Sequence, residues 1–362
     1  MKPPMISPPL LNSSNPWCTS LEQLRELYDC PYTGAVTTRT SLLNGFPNDP
    51  AVHQYTFYNP STHAAAADPS ASTSDKTGSL NTLGYSPLPL ATYLDFIKQI
   101  AASTSSSTSP PKSKPFIISV TGSSTEVCEC YRLISAHQRL VHTPLAMEIN
   151  LSCPNIPDKP PPAYHSHRLV EYLTALKTEV AAQQSQGAHT HVPIGIKTPP
   201  YTYADQFKHL ISALSDAAGA APVNQPCPIS FITATNTLGS SLLLTPTLEA
   251  PSSPISVTPG SPTGLPRQVY HHTLASSTGT GIGGLAGAPL HPLALGNVYT
   301  IKGLLFQHPE LEGIQIIGMG GVEDSEGYKR MRAVGASAVG VGTALGRKGV
   351  GVFAEISGKK EG

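Results

Sequence analysis

Charge is what this chain of 362 residues has least of, with only 13% of positions occupied by Asp, Glu, Lys or Arg. The 23 basic residues equal the 23 acidic ones, so the balance gives no sign of a nucleic-acid partner or a membrane surface. Long apolar runs are missing as well. Met1-Lys-Pro-Pro-Met-Ile-Ser-Pro-Pro-Leu10 holds no stretch fit for a signal peptide, and no later segment approaches the roughly 20 apolar residues that span a bilayer. A soluble protein is expected. The six cysteines (Cys18, Cys30, Cys128, Cys130, Cys153 and Cys227) lack the paired spacing of a zinc site. No metal is therefore expected, and the thiols read as reduced and cytoplasmic. In place of charge the chain carries 36 Pro and 31 Gly, which points to many loops and a surface made polar by Ser, Thr and His.

The length allows one large core or two ordinary ones, and α/β barrels often exceed about 250 residues as one domain. A single domain over 1–362 is the preferred reading. Apolar runs bounded by turn residues recur at 9–13, 34–38, 116–121, 145–151, 194–198, 229–235, 314–318 and 338–341. Between most of them lie helical patterns, at 21–28, 93–100, 127–140, 169–180, 203–214, 293–306, 326–334 and 350–356. In the fourth, Leu169, Leu173, Leu176 and Val180 mark one face of an amphipathic helix. Eight alternating units predict an α/β fold, a closed (β/α)8 TIM barrel, with an open doubly wound sheet as the alternative. Two stretches break the alternation. Residues 101–114, mostly Ser, Thr and Pro at their centre, predict a disordered insertion, and 242–280, rich in Pro, Ser, Thr and Gly, predict a long flap or lid.

Polar residues cluster at the ends of the expected strands, where barrel enzymes place their active sites. Ser13 and Ser14 follow the first run, Arg39 and Thr40 the second, and Asn150 and Cys153 the fourth. Lys197 ends the fifth, Asn236 and Thr237 follow the sixth, and glycines follow the seventh and eighth. In Met147-Glu-Ile-Asn-Leu-Ser-Cys-Pro-Asn155 a cysteine stands between two asparagines just past an apolar run. A buried cysteine is usually a small apolar filler, but Pro154 ends the strand here and the loop beyond it is irregular, so a reactive role outweighs packing. The turns Gly318-Met-Gly-Gly-Val322 and Val341-Gly-Thr-Ala-Leu345 would let backbone N–H groups approach a phosphate at a helix start, although tight strand–helix packing also uses Gly. Lys197 ends an otherwise apolar strand and needs an anionic partner, from a neighbour in the fold or from a ligand.

On these residues the chain resembles the soluble, cysteine-type, fumarate-using class of dihydroorotate dehydrogenases. The carriers are Asn12-Ser-Ser14, Asn81-Thr-Leu-Gly84, Glu148-Ile-Asn-Leu-Ser-Cys-Pro-Asn155, Gly195-Ile-Lys-Thr-Pro-Pro-Tyr201 and Thr235-Asn-Thr-Leu-Gly239. Further on come Gly283-Gly284, Gly287 with Leu293-Ala-Leu-Gly-Asn-Val298, and the two glycine turns. The resemblance implies an FMN-dependent oxidation of dihydroorotate to orotate in pyrimidine biosynthesis, fumarate leaving as succinate, in a cytoplasmic homodimer. It makes Cys153 the base and sets Lys197 by the flavin. Asn81, Leu83, Gly84, Asn150, Asn155, Asn236 and Thr237 become the substrate contacts. Ser14, Arg39, Thr40, Asn150, Lys197, Thr235, Gly287, Gly320, Gly321, Gly342 and Thr343 become the cofactor contacts. Arg39 stands where the family usually has Lys, Thr237 where it has Ser, and Asn15 and Ala286 where it has Gly; the expected flap is longer. A barrel acting on another dihydropyrimidine, or one that binds a ligand without turnover, is the rival reading.

Overall fold

In a computed structural model the chain is described over residues 2–66, 68, 73–104, 113–153, 161–187, 191–249 and 267–359. Its strands are β1 (Leu10–Asn12), β2 (Val36–Thr37), β3 (Tyr55–Tyr58), β4 (Gly78–Asn81), β5 (Phe116–Val120), β6 (Leu145–Asn150), β7 (Ile194–Lys197), β8 (Ile229–Ala234), β9 (Leu238–Ser241), β10 (Leu244–Glu249), β11 (Arg267–His272), β12 (Gly283–Gly287), β13 (Gln315–Met319) and β14 (Ala338–Val341). Its helices are α1 (Leu21–Asp29), α2 (Leu90–Thr104), α3 (Ser124–Gln138), α4 (Ser166–Ser185), α5 (Ala204–Gly219), α6 (His291–Phe306), α7 (Ser325–Ala333), α8 (Thr343–Lys348) and α9 (Val352–Ile356).

The eight apolar runs all form strands of one parallel sheet, in the order β1-β14-β13-β8-β7-β6-β5-β2. A parallel bridge from Leu11 to Ala35 joins the two outer strands and closes the cylinder. The fold is a (β/α)8 barrel, as the alternation predicts, and the open-sheet alternative falls with that bridge. Strands buried on both faces read as continuous apolar runs, which is why they are visible in the sequence. Local signals set the helix starts: Ser20 accepts from the Gln23 N–H ahead of α1, and Ser123 from the Glu126 N–H ahead of α3, each in a reciprocal capping box. Leu169, Leu173, Leu176 and Val180 are all buried, so the predicted face of α4 packs inward.

Inside the cylinder, Leu11, Ala35, Ile117, Ala146, Phe231, Ile317, Met319 and Ala338 form an apolar plug. Phe231 has room because Gly195 faces it; a Cβ there would lie 2.2 Å from its ring. Above the plug the inward positions turn polar, with Ser119, Glu148, Thr233, Asn150 and Lys197 all buried. The plug therefore forms the base of a polar chamber at the C-terminal end of the strands.

A second sheet, β3-β4-β12-β9, was not apparent in the sequence. Its antiparallel pairing sets Asn81 opposite Gly284 and brings two distant segments together. The ends of the expected flap pair as a ribbon, β10 with β11. Residues 250–266, most of the expected 101–114 insertion, and Asn155 lie outside the described residues. Among the described residues no helix is long and apolar enough to cross a membrane, and no group of three His, Cys, Asp or Glu side chains is arranged to hold a metal ion.

Candidate active site

One cavity at the C-terminal end of the barrel gathers every predicted site residue except Asn155. Its lining draws Ser14 from the turn after β1, Arg39 and Thr40 after β2, and Asn81, Leu83 and Gly84 after β4. Asn150 and Cys153 come from the end of β6, Lys197 from β7, and Thr235, Asn236 and Thr237 from the end of β8. Gly287, Gly320, Gly321, Gly342 and Thr343 close the opposite side. Residues spread over some 330 positions of sequence share one cavity because the βα turns of a barrel all open on the same face.

The amides are already ordered against one another. Asn150 Nδ2 donates to Thr40 Oγ1 at 3.1 Å, and Asn150 Oδ1 accepts from Asn236 Nδ2 at 3.2 Å. Asn236 Nδ2 also donates to Ser152 Oγ at 2.9 Å, and Asn236 Oδ1 accepts from the Thr237 N–H. Across the cavity, Asn81 Nδ2 donates to the Gly284 carbonyl at 3.1 Å and Asn81 Oδ1 accepts from the Leu83 N–H at 3.3 Å. Gly84 lies close to the Phe46 ring, which a Cβ there would meet at 2.1 Å.

Of the six cysteines, Cys153 alone lines this cavity, half-buried at its edge. The other five are buried; burial pushes the Cys18 and Cys130 thiols up to about 12 and Cys227 up to about 11, which removes them as bases. Tyr85, absent from the predicted set, also lines the cavity. Burial, reinforced by the neighbouring Cys153, pushes its phenol far above the ordinary range, so its hydroxyl keeps its proton and serves as a donor beside the thiol. No sequence signal marked it.

Lys197 is 5% exposed and, among the described residues, forms no ion pair. Glu148, on the adjacent strand, is instead taken up by Ser119 and Thr233. Arg39 is the second cation of the cavity. Burial lowers its pKa, offset by Tyr93 and Cys18, and its Nη2 is buried without a hydrogen-bond partner. Thr235 Oγ1 is orphaned in the same way. Buried polar atoms normally find partners, so two orphans lining one cavity point to a ligand.

On the glycine side the backbone packs too closely against its neighbours to admit side chains. Gly320 and Gly321 have φ of 131° and 67°, outside the comfortable range of other residues. A Cβ on Gly321 would lie 2.6 Å from the Gly287 carbonyl. His291 holds this turn from behind. Arg330 Nε–H donates to His291 Nε2 at 3.2 Å, so Nδ1 carries the proton and donates to the Gly320 carbonyl at 2.7 Å. Trp17, the only tryptophan in the chain, lines the cavity and stacks on Phe57, with ring centroids 5.7 Å apart.

Comparisons with known proteins find similarity in sequence and in fold. The family model described as dihydroorotate dehydrogenase matches residues 261–360. A protein of Streptococcus uberis provisionally named dihydroorotate dehydrogenase A (fumarate) is 27% identical over 353 residues, covering 96% of this chain and 86% of that protein. A Streptococcus pyogenes protein with the same provisional name is 26% identical over 354 residues, with the same coverage. Among solved structures, a ligand-free dihydroorotate dehydrogenase from Eimeria tenella superposes with a TM-score of 0.63 at 14% identity, covering 97% of this chain and 82% of that one, a likeness of fold. Along nearly its whole length the chain is similar in sequence to proteins provisionally named dihydroorotate dehydrogenase A (fumarate), and its fold is similar to that of a dihydroorotate dehydrogenase.

Proposed function

We propose that the protein is an FMN-dependent enzyme that oxidises dihydroorotate to orotate in pyrimidine biosynthesis, with fumarate taking up the electrons and leaving as succinate. The observation that carries this reading is the single cavity shared by a half-buried cysteine, three ordered asparagines, two cations and a glycine cradle. FMN suits the residues present. Gly287, Gly320, Gly321 and Gly342 line the cavity without side chains, so their backbone N–H groups would take the phosphate, with Thr343 beside it. The orphaned Arg39 Nη2 and Thr235 Oγ1, with Lys197, would take the ring carbonyls and nitrogens. Ser14 and Thr40 complete that wall. When bound, FMN supplies the acceptor for the hydride leaving carbon 6.

The residues of the chain account for the rest. Cys153 takes the proton from carbon 5, and the Tyr85 hydroxyl beside it steadies the thiolate. Asn81, Asn150 and Asn236, with Asn155 and Thr237, hold a flat ring of alternating C=O and N–H groups, which amides match because each both donates and accepts. Leu83 and Gly84 border the ring. Lys197 and Arg39 hold positive charge where negative charge develops on the cofactor side. The same reading includes the cytoplasmic homodimer implied by the resemblance.

The test is direct. Purified protein should be yellow, and dihydroorotate added without oxygen should bleach it and yield orotate; fumarate should then restore the colour and yield succinate. Yellow protein that dihydroorotate fails to bleach would refute the substrate, and protein unable to bind FMN would refute the whole reading.

A further inference from the structure

Glu148 is buried at 1% exposure and does not line the cavity, and no residue so far assigned a role in the reaction accepts or donates a hydrogen bond to it. Its two oxygens accept from Ser119 Oγ at 2.9 Å and from Thr233 Oγ1 at 2.6 Å. A carboxylate offers lone pairs only, so each of these hydroxyls must spend its proton on Glu148. The consequence travels upward. Ser119 Oγ, its proton committed, can only accept from Thr40 Oγ1 at 2.9 Å. Thr40, its own proton committed, can only accept from Ser14 Oγ at 2.9 Å and from Asn150 Nδ2 at 3.1 Å. Ser14 Oγ in turn accepts from the Thr40 N–H at 2.8 Å. Every hydroxyl proton from the cavity wall to the barrel centre therefore points toward Glu148.

From this directed chain we infer that Glu148 is a positioning residue: acting through Ser119 and Thr40, it keeps Thr40 an acceptor for the Asn150 NH2 and so holds that amide in place. The Ser152 backbone N–H at 3.3 Å and Asn236 Nδ2 hold the Asn150 carbonyl on one side, and Thr40, able only to accept, takes the NH2 on the other. A Gln at 148 can donate to Ser119 and reverse the chain, so that Thr40 turns a proton toward the Asn150 NH2 and pushes the amide off the position from which it meets the ring. The inference rests on the proposed function, in which Asn150 faces that ring.

The test compares orotate affinity by calorimetry in FMN-loaded wild type and in Glu148→Gln, Ser119→Ala, Thr233→Val and the Glu148→Gln/Ser119→Ala pair, with flavin content and melting temperature measured alongside. Thr233 touches Glu148 outside the chain, so Thr233→Val removes a partner of the carboxylate without releasing Thr40. Orotate binding should weaken about tenfold in Glu148→Gln and in Ser119→Ala, and no further in the pair, while Thr233→Val changes it less than about twofold. Equal losses in Ser119→Ala and Thr233→Val, or losses that multiply in the pair, would overturn the inference and reduce Glu148 to a packing element. If the Glu148 variants do not fold, Ser119→Ala against Thr233→Val decides alone. Wild-type protein that holds FMN but does not bind orotate overturns the functional reading, and the inference with it.

Discussion

Replacing Lys197 by Met separates what a cation costs the fold from what it contributes to the chemistry. The stem of Lys197 is buried at the end of β7, and among the described residues its ammonium forms no ion pair. Met keeps the apolar length of the side chain and deletes the charge. In the cofactor-free protein the substitution should therefore relieve an uncompensated buried cation. Relaxation and water in the open cavity hold that relief to roughly 1–2 kcal/mol, the low end of the cost of an unpaired buried ion. At about 2.1 cal/mol/K per residue, the unfolding entropy of a chain this long makes 1 kcal/mol worth roughly 1.3 °C, so the melting temperature should rise by about 1–3 °C. With FMN present the sign reverses. The charge that is costly in the empty site stabilises negative charge in the filled one, and deleting one such group typically lowers a rate by about 10²–10³-fold. The assays are a thermal melt with and without FMN and stopped-flow bleaching by dihydroorotate. A variant whose cofactor-free form melts lower than wild type, and whose flavin is bleached at the wild-type rate, would refute the reasoning on both counts.

The eight barrel strands were legible because burial on both faces leaves continuous apolar runs, and the glycine turns because tight backbone geometry restricts the residues that fit. The second sheet was not. Gly78-Ser-Leu-Asn81, Leu238-Gly-Ser-Ser241 and Gly283-Gly-Leu-Ala-Gly287 have little β-branched or apolar content, and they become strands through pairing with distant segments, Asn81 with Gly284 and Ser241 with Gly283. The site residues that escaped notice share that origin. Tyr85 and Glu148 sit within or beside quoted motifs, yet their roles depend on what the closed barrel brings against them. Glu148 is the sharper case. It stands on the strand beside Lys197, yet the hydroxyls of Ser119 and Thr233 take up its carboxylate.

Cys153→Ser should retain FMN but slow bleaching by dihydroorotate by orders of magnitude at neutral pH, because an alcohol is a far weaker base and Tyr85 holds its proton; wild-type rates in stopped flow would remove Cys153 as the base. Arg39→Ala should lower FMN retention or raise the KM for dihydroorotate while Arg39→Lys preserves most activity, and a normal flavin content and kcat/KM in the alanine variant would reduce Arg39 to a strand-end charge. Joining β10 to β11 by a short turn in place of residues 250–266 should leave flavin content intact, since two halvings of a loop are worth only about 1.2 kcal/mol; flavin-free or insoluble protein would make that segment structural. The last expectation concerns acid stability, and its sign follows from His191. Burial lowers the pKa of this imidazole from 6.5 to about 4, and the Tyr131 hydroxyl meets its Nδ1 at 3.2 Å. Below pH 6.5 the unfolded chain takes up a proton that the fold refuses until about pH 4, so proton binding favours unfolding and stability falls with pH across that window. The full shift corresponds to at most about 3 kcal/mol, or roughly 4 °C in this chain, and partial solvent contact of the ring reduces it. His191→Asn keeps an acceptor for Tyr131 without a titrating group, and it leaves every other acid-sensitive group, including the buried His137, in place. Melting curves between pH 7 and pH 4 should therefore converge on the acid side, with wild type losing more stability than the variant; parallel curves would show that His191 takes up its proton as readily in the fold as in the unfolded chain.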